Sequence, residues 1–199
     1  YGQLLEEAGL DGRLGPLSHE RGKRVFTGWD LGVGDSTAIW FAQIIGDQVN
    51  IFDYVENQGV GLDWYVGELF RRNYIYSSHY FPHDVEQREV TTAKSRTEVL
   101  RELGISPTVV PRTRVEEGVN AARLLIPRCR FDSLRCQLGI ESLRHYRREW
   151  DAKKKVFADR PLHDWASHGA DAFRTLALML PRQDNVAMRP IKYEESWVV

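Results

Sequence analysis

The sequence predicts an α/β fold: a mixed central β-sheet with helices on both faces. Three observations predict it. Strand-like segments follow one another between residues 24 and 55, the apolar period changes to a helical one at Leu62, and short extended runs then alternate with helical runs up to Leu180. The chain has 199 residues, 42% of them hydrophobic and 11% aromatic, enough to bury a sizeable core. One domain with tails is the expected organisation.

Residues 1–23 are polar and Gly-rich and read as a linker or arm, in which Leu4, Leu5 and Leu10 form a short docking turn at most. Arg24 to Asp30 alternates Val25, Thr27 and Trp29 on one face, a strand, and a Gly-rich bend follows. Thr37 to Ile45 is β-branched and aromatic, hence a buried strand. Gly46-Asp47 turns the chain into Gln48–Val55, which completes an antiparallel meander. Leu62, Tyr65, Val66, Leu69 and Phe70 then fall on one helical face.

A short strand, Ser78 to Phe81, runs into Pro82-His83-Asp84. A helix over Lys94–Leu103 has Thr92 or Ser95 as its cap and Gly104 as its stop. Thr108–Val110 is a strand closed by Pro111, and Val115–Ile126 is a helix ended by Pro127. Ser133 to Trp150 reads as a long basic helix, Lys153–Phe157 as a short extended segment, and His163–Leu180 as the final helix before Pro181. Residues 182–199 are a tail with Trp197 near its end. This order of elements is that of ribonuclease H-like domains.

Composition excludes several classes. No run of 18 apolar residues exists, so no transmembrane helix and no membrane partner are expected. Cys129 and Cys136 are too few for a disulfide framework or a four-cysteine zinc site, and read as reduced thiols. The net charge of −1 hides an asymmetry: residues 1–111 carry −6, residues 112–160 carry +6 and the remainder −1. A basic middle in a neutral chain is either a solvated helical face or a phosphate-binding surface.

Three carboxylates stand out. Asp30 ends the first strand beside the Gly-rich bend, and Asp84 follows the fourth. If those strands are parallel neighbours, their carboxyl ends bring the two acids together, where open sheets bind ligands. Asp171 lies mid-helix among Gly169, Ala170 and Ala172, where an unpaired carboxylate is costly, so it wants a cation. Singly, each has an ordinary reading as a turn residue, a cap or an ion-pair partner. Together they form the oxygen donor set that Mg²⁺ takes, and two such ions about 4 Å apart serve phosphodiester hydrolysis. His168, three residues before Asp171 on the same face, is a metal ligand, a proton shuttle or a phosphate contact. Lys94 and Arg96 open the helix after Asp84, within reach of a phosphate.

With these residues in place, the chain resembles the C-terminal nuclease domain of the large terminase subunit of tailed bacteriophages. The resemblance rests on Gly28-Trp29-Asp30-Leu31-Gly32, Asp35-Ser36-Thr37-Ala38, Pro82-His83-Asp84 and His168-Gly169-Ala170-Asp171-Ala172-Phe173-Arg174, and covers roughly residues 24–180, with the nuclease domain expected over 24–181. It implies a ribonuclease H-like fold and a two-metal endonuclease using Mg²⁺ or Mn²⁺, which cuts concatemeric double-stranded viral DNA during packaging. Asp30, Asp84 and Asp171 match the family's acidic triad, and His168 a residue near the metals. No Gly-x-x-x-x-Gly-Lys-Ser/Thr loop occurs, so the packaging ATPase domain is expected elsewhere in a longer chain, with residues 1–23 as the linker from it.

The implied partners are DNA, that ATPase domain, the portal protein and the small terminase subunit. The implied place is the host cytoplasm, at the procapsid portal vertex, outside the mature virion. The isolated domain is expected to be monomeric. The basic middle then has a use: Arg112, Arg114, Arg147, Arg148, Lys153, Lys154 and Lys155 are the expected DNA contacts, the three lysines at a hairpin tip. Two other readings stand beside this one: a junction resolvase or transposase on the same sheet, and a non-catalytic assembly module docking on the portal.

Overall fold

The computed structural model describes residues 1–32, 35–86, 94–151 and 155–181. The C-terminal tail, with Trp197, lies outside the described residues, as do Lys153 and Lys154.

The chain opens with α1 (Gly2–Leu10) and β1 (Leu14–Gly15), followed by the meander β2 (Val25–Asp30), β3 (Thr37–Ile45) and β4 (Gln48–Asn57). Then come α2 (Leu62–Arg72), β5 (Tyr76–Phe81), a 3-10 turn (His83–Glu86), α3 (Arg96–Glu102), β6 (Pro107–Val109) and α4 (Val115–Leu125). A short 3-10 turn leads to β7 (Cys129–Asp132), and α5 (Gln137–His145), β8 (Arg148–Asp151), β9 (Val156–Pro161) and α6 (Trp165–Met179) complete the described chain. Seven strands make one sheet in the order β1-β7-β4-β3-β2-β5-β6, and β8 and β9 form a separate antiparallel ribbon. The β2–β3 and β3–β4 pairs are antiparallel, whereas β2–β5, β5–β6, β4–β7 and β1–β7 are parallel.

Alternation along the strands builds two cores. On one face Ala38, Trp40 and Ala42 of β3, with Ile51 and Tyr54 of β4, pack under α1, α4, α5 and α6. On the other, Ile39 and Phe41, with Trp29 and Phe52, pack under Tyr65, Val66 and Leu69 of α2 and Leu100 of α3. The period-two pattern that marks the strands therefore also assigns the helices to their faces. α3 starts at Arg96, two residues after the expected Lys94 and directly after one of the two expected caps: Ser95 accepts from Glu98 N–H, and the Glu98 carboxylate accepts from the Ser95 N–H, a capping box.

α6 lies very close to β2 because Gly28 has no side chain. A Cβ at position 28 would collide with Leu176 Cβ and come within 2.8 Å of the Ala172 carbonyl oxygen and the Leu176 nitrogen. From α6, the Gly169 carbonyl accepts a 2.7 Å bond from the Trp40 indole N–H. These contacts fix the height of the helix that carries His168 and Asp171.

The structure differs from the sequence reading in three places. Residues 2–15 belong to the fold: Leu5 and Ala8 are fully buried in the larger core, and β1 pairs with β7 at the sheet edge. The apolar residues of α1, Leu4, Leu5 and Ala8, fall at helical spacing, but the helix is only nine residues long, and β1 is only a two-residue strand. The strand β7, between Pro127 and Ser133, has no counterpart in the sequence pattern because only four residues form it. Ser133–Trp150 is not one helix. It breaks after His145, and Arg148–Asp151 becomes a strand whose partner is Val156–Pro161, with Trp150 opposite Phe157. Charged residues suit a helix face or a ribbon equally, and the aromatic pair across the ribbon decides for the strand.

Candidate active site

Asp30 is the last residue of β2, and Pro82 follows the last residue of its parallel neighbour β5. The pairing Gly28 with Tyr80 sets both strands to end at the same edge of the sheet. The 3-10 turn after Pro82 then delivers Asp84, and α6, held down on Gly28, delivers Asp171. All three carboxylates line one cavity of about 230 Å³, together with His83, Arg114 and Arg174. The structure thus brings together the three acids that the sequence singles out.

Each acid is held differently. Asp30 Oδ2 stands 3.3 Å from His168 Nδ1. Burial pushes the Asp30 carboxyl up to about 6; the hydrogen bond to His168 opposes this, and the negative charges of Asp171 and Asp84 add to it. Asp171 Oδ1 accepts a 3.1 Å bond from the Tyr146 hydroxyl and lies 2.7 Å from Arg174 Nη2. Its carboxyl is raised by burial against the pull of Arg174 and Tyr146. Asp84 Oδ1 is buried without a hydrogen-bond partner among the described residues. The bond to Asp30 raises the His168 imidazole, so the protonated ring is favoured.

A second cluster adjoins the first. Asp35, His163 and His168 each offer a ligand atom, all within 4.8 Å of one another. His163 Nε2 lies 3.4 Å from Asp35 Oδ2, and its Nδ1 is 3.2 Å from Ser167 Oγ. His168 belongs to both groups and joins them. The sequence reading passed over Asp35 and His163 as site residues. Their signals were present: an Asp five residues after Asp30, and a His five residues before His168 at the mouth of the same helix.

The expected DNA contacts are spread out. Arg114 lines the cavity, and Arg112 is exposed beside it. Arg96 reaches the Leu31 carbonyl, 3.3 Å away, next to Asp30. Lys94 is exposed and pairs with Glu102 at 2.7 Å, at the outer end of the same helix. Arg147 and Arg148 line a neighbouring groove of about 410 Å³ with Arg123, Asn120 and Tyr146, and their pairs with Asp164 and Glu116 are long, at 3.4 and 3.9 Å. Lys155 is exposed at the turn of the ribbon.

No family model and no curated protein sequence matches this chain. Solved structures do. The large terminase of the thermophilic bacteriophage D6E in complex with ADP is 15% identical with a TM-score of 0.66, over 89% of this chain and 44% of that one. The P22 large terminase nuclease domain is 16% identical with a TM-score of 0.61, over 83% and 85% of the two chains. The nuclease domain of the large terminase of bacteriophage SPP1, solved with bound Mn, is 16% identical with a TM-score of 0.59, over 78% and 86%. The chain has the fold of phage large-terminase nuclease domains. That architecture is ribonuclease H-like, a mixed sheet flanked by helices. The chain spans less than half the length of the D6E chains it matches, and most of the length of the separate nuclease domains.

Proposed function

We propose that this chain is the metal-dependent endonuclease domain of a phage large terminase, cutting concatemeric double-stranded viral DNA during genome packaging. The observation that carries the reading is the convergence of Asp30, Asp84 and Asp171, from three separate elements, on one cavity at the carboxyl ends of β2 and β5.

The cavity suits divalent cations. Its donors are carboxylate oxygens, which Mg²⁺ and Mn²⁺ prefer. Asp84 Oδ1 is a buried acceptor lacking a donor among the described residues, and Asp30 is pushed up to about 6 by burial and by its acidic neighbours. Both are conditions that a cation relieves. Asp30, Asp84 and Asp171 would hold the ions, in a two-ion arrangement. His168 and the adjoining Asp35 and His163 supply a mixed nitrogen and oxygen set that favours Mn²⁺ over Mg²⁺. Bound there, the ions supply an activated water and charge stabilisation for phosphodiester hydrolysis.

The chain's own residues do the rest. β2, β5 and α6 hold the three acids in register before any substrate arrives. His168, with a proton on Nδ1, donates to Asp30 and orients it. Arg114 on the cavity wall, with Arg147 and Arg148 in the next groove, positions the DNA backbone without reading sequence.

By the same reading, the partners are the terminase ATPase domain in the full-length chain, the portal protein and the small terminase subunit, at the portal vertex in the host cytoplasm. The likeness to terminase nuclease folds supports this assignment. The deciding experiment is plasmid cleavage with Mg²⁺, Mn²⁺ or EDTA, run beside Asp30→Ala, Asp84→Ala and Asp171→Ala. Metal-dependent nicking and linearisation lost in all three variants is the expected result. A wild type as inert as the variants in every metal, at low salt and high protein concentration, would overturn it.

A further inference from the structure

One cation in the cavity has no counterpart in the carboxylate chemistry. Arg174 follows Asp171 by three residues on α6 and lines the same cavity as the three acids. Its stem passes over Gly118 of α4, where a Cβ would lie 3.4 Å from it. Its Nη2 makes the 2.7 Å pair with Asp171 Oδ1, whereas its Nη1 reaches only a distant acceptor, the Val115 carbonyl at 3.4 Å. Its Nε is buried and has no hydrogen-bond partner among the described residues. A guanidinium has five donors and stays protonated in a protein. Here it has one strong acceptor, and that acceptor is a carboxylate a divalent cation would also use.

We infer that Arg174 is an internal counter-ion: it holds Asp171 while the cavity lacks a divalent cation, competes with the cation for that carboxylate, and once displaced bonds a phosphate of the DNA backbone. The inference rests on reading the cavity as a site for divalent cations and DNA. Its consequence is linkage. A cation on Asp171 frees the guanidinium for phosphate, and a phosphate on the guanidinium frees Asp171 for the cation. Each ligand then raises the affinity of the other by the same factor. The site stays poorly loaded until DNA is present.

The test is a Mn²⁺ titration of the purified chain, followed by calorimetry or electron paramagnetic resonance, with and without a non-cleavable phosphorothioate duplex. Arg174→Met keeps the stem and loses the charge, and Arg174→Lys keeps the charge. Without DNA, Arg174→Met is expected to bind Mn²⁺ about tenfold more tightly than the wild type, since a unit positive charge near the ion has gone. Its gain on adding duplex is expected to shrink, while Arg174→Lys stays near the wild type. Unchanged or weaker Mn²⁺ binding by a folded Arg174→Met would overturn the inference, marking Arg174 as a packing or orienting residue. If that variant does not fold, Arg174→Gln carries the same expectation, and loss of the fold by both also overturns it. The titration needs no cleavage, so a wild type that binds Mn²⁺ as expected yet cuts nothing would sink the nuclease reading alone. A wild type that binds no Mn²⁺ would sink both.

Discussion

Asp30 Oδ2 and His168 Nδ1 stand 3.3 Å apart across 138 residues of chain, one at the end of β2 and the other near the start of α6. The contact ties the helix to the strand end beside the cavity that the three acids line. It is also where protonation and folding are coupled.

That coupling predicts a pH dependence. The Asp30 carboxyl rises from 3.8 to about 6 on folding, so between those values the folded protein binds more protons than the unfolded one. This stability is present at low pH and is lost as pH rises through about 6. His168 is also raised, from 6.5, and extends the loss above that value with the same sign. Thermal melts in EDTA should give a lower Tm at about pH 8 than at about pH 5, and Asp30→Asn should raise the higher-pH value by a few degrees, at ~2–4 °C per kcal/mol. A wild-type Tm that climbs over the same interval would contradict this account of Asp30.

Cations should reverse that loss. Mn²⁺ or Mg²⁺ added at about pH 8 should raise the Tm by mass action, by about 2.7 kcal/mol of stability at roughly one hundred times the dissociation constant. Asp84→Asn and Asp171→Asn should blunt the rise, and Asp84→Asn, which relieves a buried acceptor without a donor among the described residues, should leave the ion-free Tm equal to or above wild type. Scanning fluorimetry across a metal series reads this directly. An equal rise in wild type and both variants would place the ions elsewhere.

The two groove arginines should act through phosphate. Arg147→Ala with Arg148→Ala should weaken binding to linear duplexes of unrelated sequence equally. The slope of log affinity against log salt should flatten by about 0.9 for each DNA phosphate that an arginine no longer neutralises. Fluorescence anisotropy at several salt concentrations measures both. A weakening confined to one sequence would point to base recognition instead.

Gly28→Ala should be severe for its size. The added methyl meets the Leu176 side chain and the backbone of α6. Overpacking of this kind costs about 1–3 kcal/mol, and Asp171 moves with the helix that must give way. Denaturant melts should show the lower stability and Mn²⁺ titration the weakened site. A variant indistinguishable from wild type in both would show that α6 can lift freely.

Much of this was legible in the sequence, for identifiable reasons. Long elements with a clear period, β3 and α2 among them, announced themselves through runs of apolar residues at strand or helix spacing. The convergence of Asp30, Asp84 and Asp171 was legible only jointly: each Asp alone is an ordinary turn, cap or ion-pair residue, but two parallel strand ends and a small-residue helix bring all three together. Tyr146 was not: it reaches Asp171 from the chain just beyond α5, a contact made by tertiary packing with no local pattern. Asp35 and His163 were hidden by their exposure, since an exposed Asp in a bend and a His beside a helix cap are ordinary in isolation. The segment before β2 was misread because a helix anchored by Leu5 and Ala8 buries too little to mark itself.

The close approach of Gly28 and Leu176 also bears on how such a sequence can drift. Solved structures at 13–19% identity share the overall fold, so most side chains are exchangeable in concert with their neighbours. A missing side chain is different, because nothing on α6 can shrink to accommodate a new one when the obstacle is the helix backbone itself. The position two residues before Asp30 is therefore closed to gradual change, even though it offers no side chain to ion or DNA. It acts as a spacer gauge for the helix that carries Asp171, set by the absence of an atom.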